Sequence, residues 1–285
     1  MSQLFFMFIL FTLVLVRALY LRRQSFVMTP NDASASIGGW MLIVSMLLYP
    51  VFEAEASWAF SVIIASPFLL FIGLLKGAGF WVMSYAGQTL RKTSNSSASF
   101  FGFICIGLIA LGNAVFGENL SVMQWVSVAI LTLTGLLFTI KGHLNTQSRR
   151  VQSMFLLMVF MGCMFGMIDH YFISHVNWYG LLFLTGAGMT TVSLLSRGVG
   201  FKHVKSCVFN RRTMKIGMMM AVSEVMILSI MVTHLPVTLA WVAMTLTGPV
   251  IMVISSLLWG EGRWQDQLLI GGVSYAAAIP IALSM

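Results

Sequence analysis

Charge is what this chain has least of. Only 8% of its 285 residues are Asp, Glu, Lys or Arg, where a soluble domain of this length carries about a quarter. No polar stretch is long enough to fold as a domain of its own. The 3 cysteines, Cys105, Cys163 and Cys207, follow no paired or CxxC pattern. Cys105 and Cys163 fall in apolar runs, which argues against a disulfide framework. A Walker motif is missing, so the chain alone is not expected to couple to ATP. No Ser-His-Asp or paired-carboxylate pattern suggests an enzyme. The formal net charge of +8 is not a nucleic-acid footprint, because its Lys and Arg sit in short connections between apolar runs.

What fills the chain instead is hydrophobic. Apolar residues make up 59% of it and the mean hydropathy is +0.93. Runs of about 20 such residues cross a bilayer as helices, and continuous rather than alternating runs favour helices over a barrel. Ten spans can be laid out, at roughly 3–20, 35–53, 64–90, 97–117, 121–140, 153–173, 177–196, 214–234, 236–259 and 266–284. The first starts at Leu4 with no basic region before it and no small-residue cleavage site after it, so it reads as a retained helix. The third is over-long, because from Ser57 to Leu90 only Lys76 is charged. A tilted helix, or an interfacial piece followed by a helix, would absorb the excess. Two separate spans would make eleven. The stretches 54–63 and 197–213 are expected to be connections.

The chain repeats itself. Gly117-Glu118 with Gln124 returns as Gly260-Glu261 with Gln267, an offset of 143 residues, half the chain. Each copy closes one apolar run and opens the next. This implies two five-helix halves, 1–143 and 144–285, and an odd count per half gives them inverted topology. Of the 16 Lys and Arg, all but Lys76 fall on one side of the ten-span layout. By the positive-inside rule that side is cytoplasmic, with both termini outside.

The Gly-Glu closing the fourth and ninth spans, with Gln opening the next, resembles the drug/metabolite transporter superfamily, in its EamA-like branch. There each half ends with an apolar helix, a Gly-Glu, a short polar turn, Gln and a Gly-containing last helix. Here these are Gly117-Glu118, Gln124 and Gly135, then Gly260-Glu261, Gln267, Gly271 and Gly272. Thr247-Gly248-Pro249 is similar to the family's proline in the ninth helix, while Ile106 stands at the first-half equivalent. The resemblance implies a secondary transporter exporting a small organic metabolite by alternating access. It also implies that helices one, three, four, six, eight and nine line the path, and it commonly goes with cytoplasmic termini, against the charge pattern here. Gly117, Glu118, Gln124, Gly260, Glu261 and Gln267 are expected to be structural. Glycine suits a tight turn, and a carboxylate suits a helix N-terminus.

Chemistry is expected where a polar group sits at depth. Glu224 lies near the middle of the eighth span, where an ionisable side chain is costly and a functional site is the default hypothesis. It could bind a proton, or a cationic or amine group of the substrate, or it could only tie helices together. Lys76 could pair with Glu224 or, as the preferred reading, snorkel to the interface. Trp81, Ser84, Tyr85 and Gln88 share one helical face and could line a cavity or simply pack. Asn113 and Trp241 are weaker candidates. Asp169 and His170 suggest a polar rim or outer gate. With His175 they do not make a metal site, since His170 and His175 do not share a helical face and no third soft ligand stands nearby.

The expectation is therefore an all-α integral membrane protein, multi-pass in a bacterial inner membrane. Its ten transmembrane helices form two inverted five-helix repeats. Its partners are the lipid bilayer and a small-molecule substrate, without nucleic acid, cofactor or metal, and a homodimer is compatible with it. Proton coupling through Glu224 and simple facilitated efflux both fit. The other readings are a flippase for a lipid-linked intermediate, a non-transporting membrane scaffold subunit and, last, a membrane enzyme.

Overall fold

The computed structural model describes residues 3–25, 27–93, 95–138, 148–196, 200–261 and 264–283. Among the described residues the chain is helical throughout, with no strand. The helices are α1 (Gln3–Ser25), α2 (Pro30–Leu48), α3 (Glu53–Ala65), α4 (Pro67–Thr93), α5 (Asn95–Val115), α6 (Val122–Phe138) and α7 (Arg149–His175). They continue with α8 (Trp178–Leu195), α9 (Gly200–Phe209), α10 (Arg211–Thr233), α11 (Val237–Thr245), α12 (Thr247–Trp259) and α13 (Trp264–Leu283). Six segments among the described residues are long and apolar enough to cross a membrane: Gln3–Ser25, Pro67–Lys92, Arg149–His175, Trp178–Leu195, Arg211–Met231 and Val237–Trp259. Phe101–Val115, Val122–Leu137 and Gln267–Ile281 are shorter apolar helices. This is a multi-pass membrane architecture by length and composition.

Local chemistry sets the breaks. Pro30 begins α2 behind Thr29, whose hydroxyl accepts the Asp32 N–H at 3.2 Å, an N-cap with proline at the first helical position. Asn177 caps α8 in the same way, its side-chain oxygen accepting the Gly180 N–H at 2.9 Å. The over-long apolar stretch breaks at Ser66, because Pro67 cannot continue a helix through its missing N–H. The expected connection 54–63 is therefore helical, as α3. Pro249 likewise cannot donate to the Thr245 carbonyl one turn back. The ninth expected span accordingly divides at Leu246 into α11 and α12. The expected connection 197–213 holds a further helix, α9. Its buried Val204, Cys207 and Val208 and its half-buried His203 recur at helical spacing, with Lys202 and Lys205 exposed between them.

The chain folds as two compact units. The first comprises Met1–Arg23, Ala86–Met167 and His234–Met285, and the second comprises Gln24–Tyr85 and Ile168–Thr233. Each draws on both halves of the sequence, and α4 and α7 each contribute to both units.

The second unit is built on close approaches at glycine. A Cβ added to Gly77 on α4 would lie 2.5 Å from the Thr185 carbonyl oxygen and 2.7 Å from the Gly188 Cα on α8. Gly38 on α2 meets the Met189 Cβ and the Thr190 backbone of α8, and Gly217 on α10 meets Ser36 and Trp40 of α2. Small residues let backbones come together where lipid offers no hydrophobic drive between helices. In the first unit, Gly135 on α6 sits against the backbone of Phe103–Ile104 on α5 in the same way. Phe103, Ile106, Ile109 and Leu131 are fully buried there.

Candidate functional site

Among the described residues, three charged side chains are buried in the second unit, each from a different helix. Lys76 comes from α4, Asp169 from α7 and Glu224 from α10. They are 4%, 5% and 9% exposed. The Lys76 Nζ forms an ion pair with Asp169 Oδ1, and Glu224 interacts electrostatically with Asp169. One ammonium and two carboxylates thus share one interior region. Each would be costly there alone. Lys76 and Asp169 offset part of that cost for each other, while the Glu224 carboxylate repels that of Asp169, so the set is one where a proton or a cation could be taken up.

This arrangement corrects two sequence expectations. Lys76 does not snorkel: its ammonium is inside the protein, because a carboxylate waits for it there. Its ion-pair partner is Asp169, not Glu224. Asp169, expected at an outer rim or gate, is buried, while His170 beside it is partly exposed. His175 lies apart at the exposed end of α7, its Nδ1 2.7 Å from the Tyr171 carbonyl oxygen and its ring stacked on Tyr171 at 4.2 Å. The sequence held a signal for the Lys76–Asp169 pair in the two charges inside apolar runs. Their 93-residue separation hid which would meet which.

The stripe on α4 has divided roles. Trp81 and Tyr85 stack with centroids 5.6 Å apart, and the Ser84 hydroxyl accepts from Ser34 on α2 at 3.0 Å. The Trp81 Nε1–H is buried with no hydrogen-bond partner among the described residues, a donor held ready in the same unit as the charged cluster. Gln88 is 2% exposed and falls in the first unit.

Asn113 and Trp241 also belong to the first unit. Asn113 is fully buried and donates through Nδ2 to the Thr238 hydroxyl at 3.2 Å, tying α5 to α11. The Trp241 Nε1 is buried without a partner among the described residues. Neither belongs with the charged cluster in the second unit.

The repeated strings are turns, as their glycines require. Gly117 has φ +93° and Gly260 φ +68°, backbone angles that glycine adopts without strain. Ser121 and Gln124 form a reciprocal capping box at the start of α6. The Ser121 N–H donates to Gln124 Oε1 at 2.9 Å, and the Gln124 N–H donates to the Ser121 hydroxyl at 3.3 Å. The two glutamates differ. Glu118 accepts the Thr238 N–H at 2.9 Å, so it caps α11, a helix far along the chain. Glu261 pairs instead with Arg22 of α1 at 2.8 Å, while its carbonyl accepts from Gln267 at 2.6 Å. The Arg22 guanidinium also lies over the Trp259 ring at 5.5 Å.

One cluster escaped sequence reasoning altogether. Asp32, His203 and Cys207 converge in the second unit with their ligand atoms within 4.8 Å of one another. The i, i+4 spacing of His203 and Cys207 was visible, but it lay in a stretch expected to be a loop. Asp32 is too far away in sequence to be joined to it. Comparison of the chain with family models and with curated proteins finds no match in either.

Proposed function

We propose that this protein is a secondary transporter that exports a small organic metabolite, and that the Lys76–Asp169–Glu224 cluster is where substrate or proton charge is handled. The observation that carries the reading is the burial of three charged side chains from three apolar helices in one unit. A protein that needed only to hold helices together would be served as well by apolar packing of similar volume. Charge retained inside a membrane protein marks an ion or substrate path by default. Glu224 is assigned to bind a proton or the cationic group of the substrate, with Asp169 held by Lys76 beside it.

The ten-span, inverted-repeat organisation belongs to this proposal, with halves 1–143 and 144–285 and a likeness to the EamA-like drug/metabolite transporters. Element spacing supports it. Moved along by the 143 residues that separate Gly117 from Gly260, α1 overlaps α7, α2 overlaps α8 and α3 overlaps α9. In the same way α4 overlaps α10, α5 overlaps the α11–α12 pair and α6 overlaps α13. A helix of 10 residues such as α9 spans roughly 15 Å, half a hydrocarbon core. Leaving α3 and α9 out as non-crossing pieces gives five crossings per half and hence opposite entry of the two halves. A bacterial inner membrane is the setting this reading assigns.

Proteoliposomes carrying the purified protein test it, with counterflow measured across amino acids, nucleosides and amines, with and without a pH gradient. Transport of one class by the wild type is expected, with Glu224→Gln losing transport or its pH dependence. Transport of none of these classes counts against the transporter reading. A Glu224→Gln variant that transports normally with an unchanged pH profile removes Glu224 from the mechanism.

A further inference from the structure

We infer that Asp32, His203 and Cys207 form a zinc site that fastens α9 to the N-terminal end of α2. The proposal rests on ligand-atom geometry. Asp32 Oδ1 lies 3.1 Å from His203 Nε2. Cys207 Sγ lies 3.3 Å from the same nitrogen and 3.7 Å from the same oxygen. Zinc binds oxygen and nitrogen at about 2.0–2.2 Å and thiolate sulfur at about 2.3 Å in tetrahedral array. Bonds of that length at the tetrahedral angle put neighbouring ligand atoms roughly 3.3–3.6 Å apart. The three observed edges bracket that range, so one ion fits the triangle with little movement of any side chain.

The donor set also selects the metal. A thiolate and an imidazole suit zinc among the common divalent ions, and disfavour magnesium and calcium, which take oxygen ligands. Two anionic ligands, the Cys207 thiolate and the Asp32 carboxylate, balance the dication among the exposed cations Lys202 and Lys205 of α9. His203 Nε2 faces both partners, so the neutral tautomer with its proton on Nδ1 presents a lone pair to the ion. The thiol proton leaves to solvent when the metal–sulfur bond forms.

The scaffold beneath the ligands is already fixed. Trp40 Nε1 on α2 donates to the Val208 carbonyl at 2.9 Å, and the Ser36 hydroxyl donates to the Thr213 carbonyl at 2.9 Å. Thr29 caps the turn that carries Asp32. Cys207 is buried, while the side chains of Asp32 and His203 are 29% and 39% exposed. The ion would therefore sit at the surface, with the fourth coordination position open to water. Packing of α9 does not itself call for these residues. At the positions 143 residues earlier, on α3, stand Phe60 and Ile64 in place of His203 and Cys207.

Cobalt substitution tests this with the full-length protein in detergent, stripped with a chelator. Expected is one Co(II) per chain with the near-ultraviolet thiolate-to-cobalt band and the visible d–d bands of a tetrahedral site, displaced by zinc. Cys207→Ser should abolish the charge-transfer band, and Cys105→Ala and Cys163→Ala should leave it intact. Loss of an outer partner alone weakens metal sites about 10–100-fold, so His203→Gln and Asp32→Asn should weaken binding by at least about tenfold. Zinc should raise the unfolding temperature of the wild type by mass action and not that of Cys207→Ser. Absence of the thiolate band in a wild-type protein that elutes as a folded species overturns the proposal. So does a band that survives Cys207→Ser. Neither readout depends on whether the chain transports anything.

Discussion

At the scale of the residue, the interior is organised by where charge finds a partner. Lys76 is inside because Asp169 is there. Removing one member of a buried pair strands the other, which costs about 3–5 kcal/mol, whereas replacing both by apolar or neutral groups of like size is often tolerated. Lys76→Met should therefore lower stability by about 3–5 kcal/mol in detergent, and Lys76→Met with Asp169→Asn should recover most of it. Thermal unfolding of the two single variants and the double variant, read as a cycle, checks this. Cys207 makes a second residue-scale prediction. Burial, and then the Asp32 carboxylate, push its thiol up to about 12 in the metal-free protein. An unfolded chain loses that proton at its ordinary value, roughly 8.5. Between the two values the folded form holds a proton that the unfolded form has released, so stability should fall as pH rises through this window and be unaffected below it. The fall should be smaller in Cys207→Ser than in the wild type, measured in chelator across an alkaline pH series.

At the scale of the element, turns and caps carry the repeated strings. Gly260 sits in the left-handed region with nothing within 4 Å of where its Cβ would be, so its requirement is conformational, not spatial. Gly260→Ala should cost about 1–2 kcal/mol and Gly260→Asn less, since asparagine tolerates that conformation. Ser121→Ala removes one arm of the capping box and should cost about 0.5–2 kcal/mol. Unfolding temperatures decide both, compared with those of Ser153→Ala, an exposed serine on α7. Helix existence was legible in the sequence because uninterrupted apolar runs leave little else possible. The turn role of Gly117 and Gly260 was legible because positive φ selects glycine. Helix boundaries at Pro67 and Pro249 were written in the chain yet masked by the hydrophobicity around them. The partners of Lys76, Glu118 and Glu261 were not legible at all, since each bond joins segments that only the fold brings together. The same holds for Asp32 with His203 and Cys207.

At the scale of the whole molecule, the distribution of Lys and Arg makes the orientation testable. Under the proposed ten-span layout fifteen of the 16 lie on one side, which the positive-inside rule assigns to the cytoplasm. Single cysteines at Ser2 and Ser284 in a background lacking the native thiols should react with an impermeant maleimide in intact cells. Reaction only after permeabilisation would place both termini inside and remove the charge-based layout.

The long reach of the Glu118 cap has a consequence for biogenesis. Its partner, the Thr238 amide, lies 120 residues downstream, and the first unit takes its last segment from His234–Met285. A chain emerging N-terminus first exposes Glu118 long before α11 has been synthesised. Closing so long a loop is entropically costly and comes late. The first unit cannot be completed before that last segment is made, whereas the second has all its segments once Thr233 has left the ribosome. Assembly order is thus set by connectivity: the unit that holds the N-terminus finishes last.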